Sequence, residues 1–225
     1  MAPFFRFPDQ AAFNRILPKN KIYAYANPGA KIRSLFVSQV SQIKWRYKLS
    51  PETIRLAARS GVPEIQIFEI ELKTPELGED VLRCIDKAIP FPIFYELICE
   101  GKIKGAATYK RPNEADSGKW VVADYYETDW LPADVKREPL PVALDLGGLY
   151  EQMLRALIGE PPRRGESLKD QVARIARIRS MQQEYIKMES RLKKEGQFNR
   201  KVEINAKMRS LKRDIDSLIA SKGRN

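Results

Sequence analysis

The sequence contains no histidine, only two cysteines and no long apolar run. Without histidine, the chain cannot build a Ser-His-Asp hydrolase, a Cys-His protease or a zinc site that needs an imidazole. Cys84 and Cys99 are too few for a thiolate zinc site, and we expect free thiols in a reducing cytoplasm. No stretch of about 18 apolar residues is present, so no membrane span is predicted. We expect a cytoplasmic protein that uses no metal and no cofactor.

A glycine-rich phosphate loop is also missing. Gly147 and Gly148 fall at a predicted helix start, without the lysine and serine of a nucleotide site. ATP hydrolysis by this chain is therefore not expected.

Positive charge is concentrated in the last part of the chain. Residues 161–225 contain 18 Lys and Arg against 8 Asp and Glu, whereas residues 1–160 contain 22 against 21. The net charge of +11 therefore divides into +10 and +1. Clustered Lys and Arg neutralise phosphates and release condensed counterions, so this asymmetry indicates an anionic partner, most often nucleic acid. We predict a body (1–160), a linker (161–166) and a basic helical hairpin (167–225).

The body has the pattern of an α/β layer fold with a mixed sheet of about four to five strands flanked by helices. Apolar residues at helical spacing predict helices, and β-branched residues at a period of two predict strands. Ser50 precedes proline at a helix start, and Asp145 is placed to cap the last helix of the body. The predicted helices are 29–43, 77–89 and 146–158, and the predicted strands are 43–49, 64–73, 93–99, 103–110 and 119–128.

The basic segment predicts two helices that fold back on each other as a coiled coil. A capping box begins at Ser167, and apolar residues then recur at steps of three and four. Gly196 interrupts the pattern, and Asn199 is expected to cap the second helix. The apolar seam consists of Val172, Ile175, Ile178, Met181, Tyr185, Met188 and Leu192 in the first helix, and of Ile204, Met208, Leu211, Ile215 and Leu218 in the second.

The cations outside this seam are the candidate nucleic-acid-binding residues. They are Arg174, Arg177, Arg191, Lys193, Lys194, Arg200, Lys201, Lys207, Arg209, Lys212 and Arg213. Two other readings stay open at this point: solubilising charges on a coiled coil, and a structural hairpin that makes a homodimer. The deficit of acids favours nucleic acid, because a structural coiled coil normally mixes signs along its edges.

Five segments can be compared with a known family. They are IKWRYKLSPETI (43–54), PEIQIFEIELK (63–73), IDKAIPFPI (85–93), YKRP (109–112) and FNRKVEIN (198–205). Together they resemble the bacterial family called domain of unknown function 4391. The resemblance implies a companion of helicases and DNA methyltransferases in anti-phage defence islands related to restriction-modification, and it carries no catalytic residues. We therefore expect a non-enzymatic adaptor subunit that contacts DNA or RNA backbone and one of these enzymes, with no membrane partner.

That setting raises one enzymatic alternative, a metal-dependent restriction-type nuclease. Such an enzyme holds a divalent cation with two carboxylates and places a lysine near the attacking water. Glu52 follows Pro51, and Glu71 and Lys73 form a Glu-x-Lys at a predicted strand end. The same chain contains acid-x-Lys twice more, at Glu100 and Asp134, so the motif has low specificity.

Overall fold

The computed structural model describes residues 4–59, 61–116 and 119–220. The chain forms two compact units, which divide between Gly159 and Glu160. Among the described residues, the first unit contains all the strands, five α-helices and a short 3-10 helix (Asp9–Ala11), and the second contains two long α-helices. The predicted α/β class, with a mixed sheet and a C-terminal pair of helices, is confirmed.

Nine strands are present in the described residues. They are β1 (Phe5–Arg6), β2 (Ala12–Ile16), β3 (Val40–Leu49), β4 (Ile65–Leu72), β5 (Ile93–Cys99), β6 (Lys102–Pro112), β7 (Trp120–Glu127), β8 (Leu131–Pro132) and β9 (Glu138–Pro139). The helices are α1 (Lys19–Ala26), α2 (Ala30–Gln39), α3 (Pro51–Ile54), α4 (Glu79–Ala88), α5 (Leu146–Leu157), α6 (Leu168–Lys194) and α7 (Phe198–Ala220).

The main sheet has seven strands in the order β2-β3-β4-β5-β6-β7, with β8 paired to β6. Its neighbours are antiparallel except β4 and β5, which are parallel and are connected through α4. Parallel neighbours need such a crossover, whereas antiparallel strands can be joined by a tight turn. That turn lies between β5 and β6, where Glu100 (φ 48°) and Gly101 (φ 72°) both adopt the left-handed conformation.

One face of the sheet packs against α1, α2 and α4. Alternate residues of β4 and β5 point to this face, and with the helices they form a continuous apolar core. Phe36 of α2, Phe68 of β4 and Ile85 of α4 are completely buried. Cys84 and Cys99 lie in the same core, and both thiols are free, as predicted.

The opposite face of the sheet packs against α5. The rings of Phe94 and Tyr150 meet edge to face with centroids 6.0 Å apart. The Tyr150 hydroxyl accepts from the Lys110 N–H (2.8 Å) and donates to the Thr108 carbonyl (2.8 Å). At the start of α5, Asp145 Oδ1 accepts from the Gly148 N–H at 2.7 Å, so the predicted cap is confirmed.

Four elements of the body differ from the sequence-based expectation. The helix predicted over 29–43 ends at Gln39, because Val40 already pairs with Leu72 as the first residue of β3. The sheet has more strands than predicted, since β2 and the two-residue β8 lack clear alternation. In β2, Asn14 has a positive φ of 50° and the pairing with β3 is irregular, which hides the period of two. Helix α1 was also not predicted.

Candidate nucleic-acid interface

Helices α6 and α7 form the predicted antiparallel hairpin. Ser167 Oγ accepts from the Asp170 N–H at 3.1 Å, which confirms the predicted cap of α6. The Arg163 guanidinium, just before α6, donates to the Leu218 carbonyl near the end of α7 at 2.6 Å. The far end of the second helix therefore returns to the beginning of the first. Residues 221–225, the last part of the predicted hairpin, lie outside the described residues.

The apolar seam lies between the two helices. Met208 and Ile215 of α7 are buried, and Tyr185 and Met188 of α6 are half-buried. The predicted cap at Asn199 is wrong, because α7 begins at Phe198 and the Gln197 carbonyl accepts from the Lys201 N–H at 3.1 Å. Gln197 therefore takes the cap position, and Asn199 lies inside the first turn.

Ten of the eleven predicted nucleic-acid-binding residues are exposed. They are Arg177, Arg191, Lys193, Lys194, Arg200, Lys201, Lys207, Arg209, Lys212 and Arg213. In the part of the chain that the structure describes, none of these ten makes an ion pair. Their charge is therefore not neutralised within the hairpin and remains available to an external anion.

Arg174 is different from the other ten residues, and the structure does not support a binding role for it. Its side chain is only 7% exposed, and its guanidinium contacts both carboxylate oxygens of Glu166 at 2.7 and 2.8 Å. The Arg174 guanidinium, hydrogen-bonded to Glu166, lowers the pKa of that carboxyl to about 2. Arg174 also donates to the Pro161 carbonyl at 3.2 Å, so it fastens the segment before α6 to the helix.

A groove with a volume of about 320 Å³ lies between the two helices near their connecting turn. Met188 and Ile204 belong to its apolar part. Its charged residues are Arg191, Arg200 and Lys207 together with Glu195 and Glu203. Glu195 Oε1 accepts from the Gln197 N–H (2.9 Å); this backbone bond and the neighbouring arginines lower the Glu195 pKa.

The structure does not bring the three residues of the nuclease alternative together. Glu52 lies on α3, which follows the end of β3, and Leu49 at that end pairs with Ile65 at the start of β4. Glu71 lies at the other end of β4, six residues later. At ~3.3 Å per residue, the two carboxylates are separated by about 20 Å, which is too far to share one metal ion.

Glu52 and Lys73 each make a local hydrogen bond, and Glu71 is exposed to solvent. Ser50 Oγ donates to Glu52 Oε2 at 2.6 Å and thereby lowers the Glu52 pKa. Lys73 Nζ donates to the Val37 carbonyl at 2.8 Å. Glu71 is exposed on β4. Residues 4–59, 61–116 and 119–220 contain no cluster of three His, Cys, Asp or Glu that could hold a metal ion.

A buried polar cluster in the body was not predicted from the sequence. Lys110 Nζ donates to Asp86 Oδ1 at 3.1 Å, to the Asp86 carbonyl at 2.6 Å and to the Ile89 carbonyl. The hydroxyls of Tyr95 (2.9 Å) and Tyr125 donate to Asp86 Oδ2. Burial raises the pKa of Asp86 and lowers that of Lys110, and their mutual attraction opposes both changes.

The role that this geometry supports for the cluster is structural. Lys110 caps the last carbonyls of α4, where a cation is favourable, and both side chains of the ion pair are fully enclosed. The sequence did contain one signal for this cluster. Asp86 lies between Ile85 and Ile89 on the apolar face of a predicted helix, and a buried acid needs a partner.

An open cleft of about 380 Å³ lies at the carboxyl end of the parallel strand pair. Leu97 and Leu77 contribute apolar surface. Lys104 pairs with Glu127 at 3.1 Å and lies 5.3 Å from the centre of the Trp130 ring. The lining also contains Glu76, so the cleft has two acids and one cation and does not favour an anion.

No helix among the described residues is both long and apolar enough to cross a membrane. No curated protein and no solved structure matches the chain. A family model described as domain of unknown function 4391 matches residues 5–215, which include the body and nearly all of the hairpin. The chain belongs to the family of domain of unknown function 4391.

Proposed function

We propose that the protein is a cytoplasmic, non-enzymatic accessory subunit of a bacterial anti-phage defence complex related to restriction-modification. In this proposal its hairpin, α6 and α7, contacts the nucleic-acid backbone, and its body docks on a helicase or DNA methyltransferase. The single observation that carries the binding role is the set of ten exposed cations on the hairpin with no ion-pair partner among the described residues.

The chemistry of these cations fits phosphate better than an isolated carboxylate. Lys and Arg spread along a rod can follow a line of phosphates, and each contact releases counterions from the nucleic acid. Contacts of this kind position a protein without reading sequence. The protein should therefore bind nucleic acids with little sequence preference and with strong dependence on salt.

The docking role rests on the body rather than on the hairpin. Val142 and Leu144, in the segment between β9 and α5, are 94% and 96% exposed. Apolar side chains that are almost completely exposed favour burial against another protein. The neighbouring prolines, Pro139 and Pro141, restrict the backbone, so less conformational entropy is lost when the segment is bound.

A matched pair of charge variants tests the binding role. The hairpin variant carries Lys193→Gln, Lys194→Gln and Lys201→Gln, and the body variant carries three equivalent changes at exposed lysines, namely Lys31→Gln, Lys87→Gln and Lys102→Gln. Both lower the net charge equally. Fluorescence anisotropy with a labelled duplex, measured over a salt series, gives the slope of log affinity against log salt.

The hairpin variant should reduce that slope by up to about 2.7, at ~0.9 for each phosphate that the protein no longer neutralises, while the body variant leaves it nearly unchanged. Equal slopes for the two variants would show that the hairpin is not the binding surface. Absence of binding by the wild-type chain at low salt would also reject the binding role.

The docking role is tested by affinity purification of the tagged chain from its host, with mass spectrometry of the eluate. A helicase or DNA methyltransferase should co-purify with the wild type. It should be lost with Val142→Ser and Leu144→Ser, and retained with the control changes Ile16→Ser and Val37→Ser at other exposed apolar positions. Recovery of neither enzyme would contradict the proposed partner.

A further inference from the structure

The turn between α6 and α7 exposes an aromatic ring. Phe198 is the first residue of α7 and its side chain is 77% exposed. Val202, one turn later, is 52% exposed. The apolar seam does not explain Phe198, because the α7 side of that seam consists of other residues, beginning with Ile204.

The same turn carries the densest free charge of the hairpin. Residues 191–201 contain five cations and one acid, whereas residues 202–220 contain four cations and three acids. All five cations of the first group are exposed and none has an ion-pair partner in the described residues. The one acid, Glu195, already accepts from the Gln197 N–H. We call residues 191–201 the hairpin tip.

We propose that the hairpin tip binds unpaired nucleotides, with Phe198 stacking on a base while the surrounding Lys and Arg contact the adjoining phosphates. This inference rests on the proposed function, and it specifies the kind of nucleic acid that the hairpin takes. Its basis is the juxtaposition of one exposed aromatic ring with a group of unpaired cations.

An intact duplex gives such a ring little to bind. Its base faces are covered by neighbouring base pairs, so Phe198 could contribute only if a base is unstacked. A single strand presents base faces freely, and stacking on an aromatic side chain is tolerant of sequence because every base has a π face. Cations alone would bind duplex at least as well as single strand, since the duplex has the higher charge density.

The experiment compares the full chain and variants of Phe198 on labelled oligo-dT, on oligo-dU and on a dA·dT duplex of equal length. Phe198→Ala removes the ring. Phe198→Leu keeps apolar volume without a π face, and Phe198→Trp keeps the stacking surface. Val202→Ala is the matched control, since it trims another exposed apolar side chain on the same helix. Circular dichroism checks that the helix content of each variant equals that of the wild type.

Phe198→Ala and Phe198→Leu should bind the single strands about fivefold more weakly or worse. Their affinity for the duplex should be unchanged, and Phe198→Trp should bind like the wild type. A weaker affinity of these two variants for either single strand supports the proposal.

Three results would overturn the proposal. The first is that Phe198→Ala binds the single strands as tightly as the wild type does. The second is that Phe198→Leu binds them as tightly as the wild type does. The third is that Val202→Ala lowers the single-strand affinity as much as Phe198→Ala does. The hairpin variant described above has all three of its changes in the tip. If it still weakens binding while Phe198→Ala does not, only the stacking role fails and the proposed function stands. If the wild-type chain binds none of the three probes, both fail.

Discussion

The pair formed by Arg174 and Glu166 permits a sharp test of which arginines are structural. The two side chains are 7% and 8% exposed and share two hydrogen bonds. Replacing Arg174 with alanine removes two hydrogen bonds from a carboxylate that has reduced access to water, although the Arg163 N–H still donates to it. Arg177→Ala is the matched control, because Arg177 lies on the same helix, is exposed, and has no ion-pair partner in the described residues.

The expected magnitude follows from the Glu166 carboxyl. Its hydrogen bonds with Arg174 contribute most to a pKa lowered from 4.5 to about 2. At ~1.36 kcal/mol for each pH unit, this difference corresponds to about 3 kcal/mol. Screening by nearby solvent reduces the expected loss of stability in Arg174→Ala to about 2 kcal/mol. Arg177→Ala should change the free energy of unfolding by less than about 0.5 kcal/mol.

The pH dependence gives a second readout. Because the folded pKa of Glu166 lies below the unfolded one, its contribution to stability is complete above the unfolded value, near 4.5, and is lost as the pH falls towards 2. The difference between the wild type and Arg174→Ala should therefore be largest at neutral pH and nearly absent at pH 2.

The assay is urea denaturation followed by circular dichroism at neutral pH and at several acidic values. Arg174→Lys, which keeps the charge but not the two-point contact, should fall between the wild type and Arg174→Ala. Equal stabilities of Arg174→Ala and Arg177→Ala at neutral pH would refute the reasoning. So would a difference that stays constant down to pH 2.

Two further predictions concern the body. Lys110→Met leaves Asp86 without its cation inside the core and should lower the free energy of unfolding by about 3 kcal/mol or more. The control Lys104→Met, at a partly exposed ion pair, should lower it by less than about 1 kcal/mol. Equal losses of stability for the two variants in urea denaturation would contradict this prediction. Gly101→Ala should cost about 1 kcal/mol, because residue 101 has a φ of 72° in the turn before β6. Gly159→Ala, at a position with open space and no positive φ, is its control and should be close to neutral in the same assay.

Several elements could be predicted because each has a strong local signal in the sequence. Strand β5 has the predicted bounds, Ile93–Cys99, because proline precedes it and a tight turn follows it. The caps at Asp145 and Ser167 needed only a side-chain oxygen in front of an apolar periodic segment. Charge and spacing likewise predicted the basic hairpin, since both are properties of short stretches of chain.

Which charged side chains form ion pairs could not be predicted locally, because it depends on how distant segments pack. Arg174 and Arg177 are three residues apart in one helix. Arg174 is buried and pairs with the carboxylate of Glu166 in the preceding segment, whereas Arg177 is exposed. Whether Glu52 and Glu71 lie close together depends on the register of β3 and β4. That register places Glu52 near the start of β4 and Glu71 near its end. Lys110 and Asp86, 24 residues apart, find each other through the packing of α4 on the sheet. Long-range pairing of this kind leaves no periodic mark, because it depends on where separate elements pack rather than on the residues within either one.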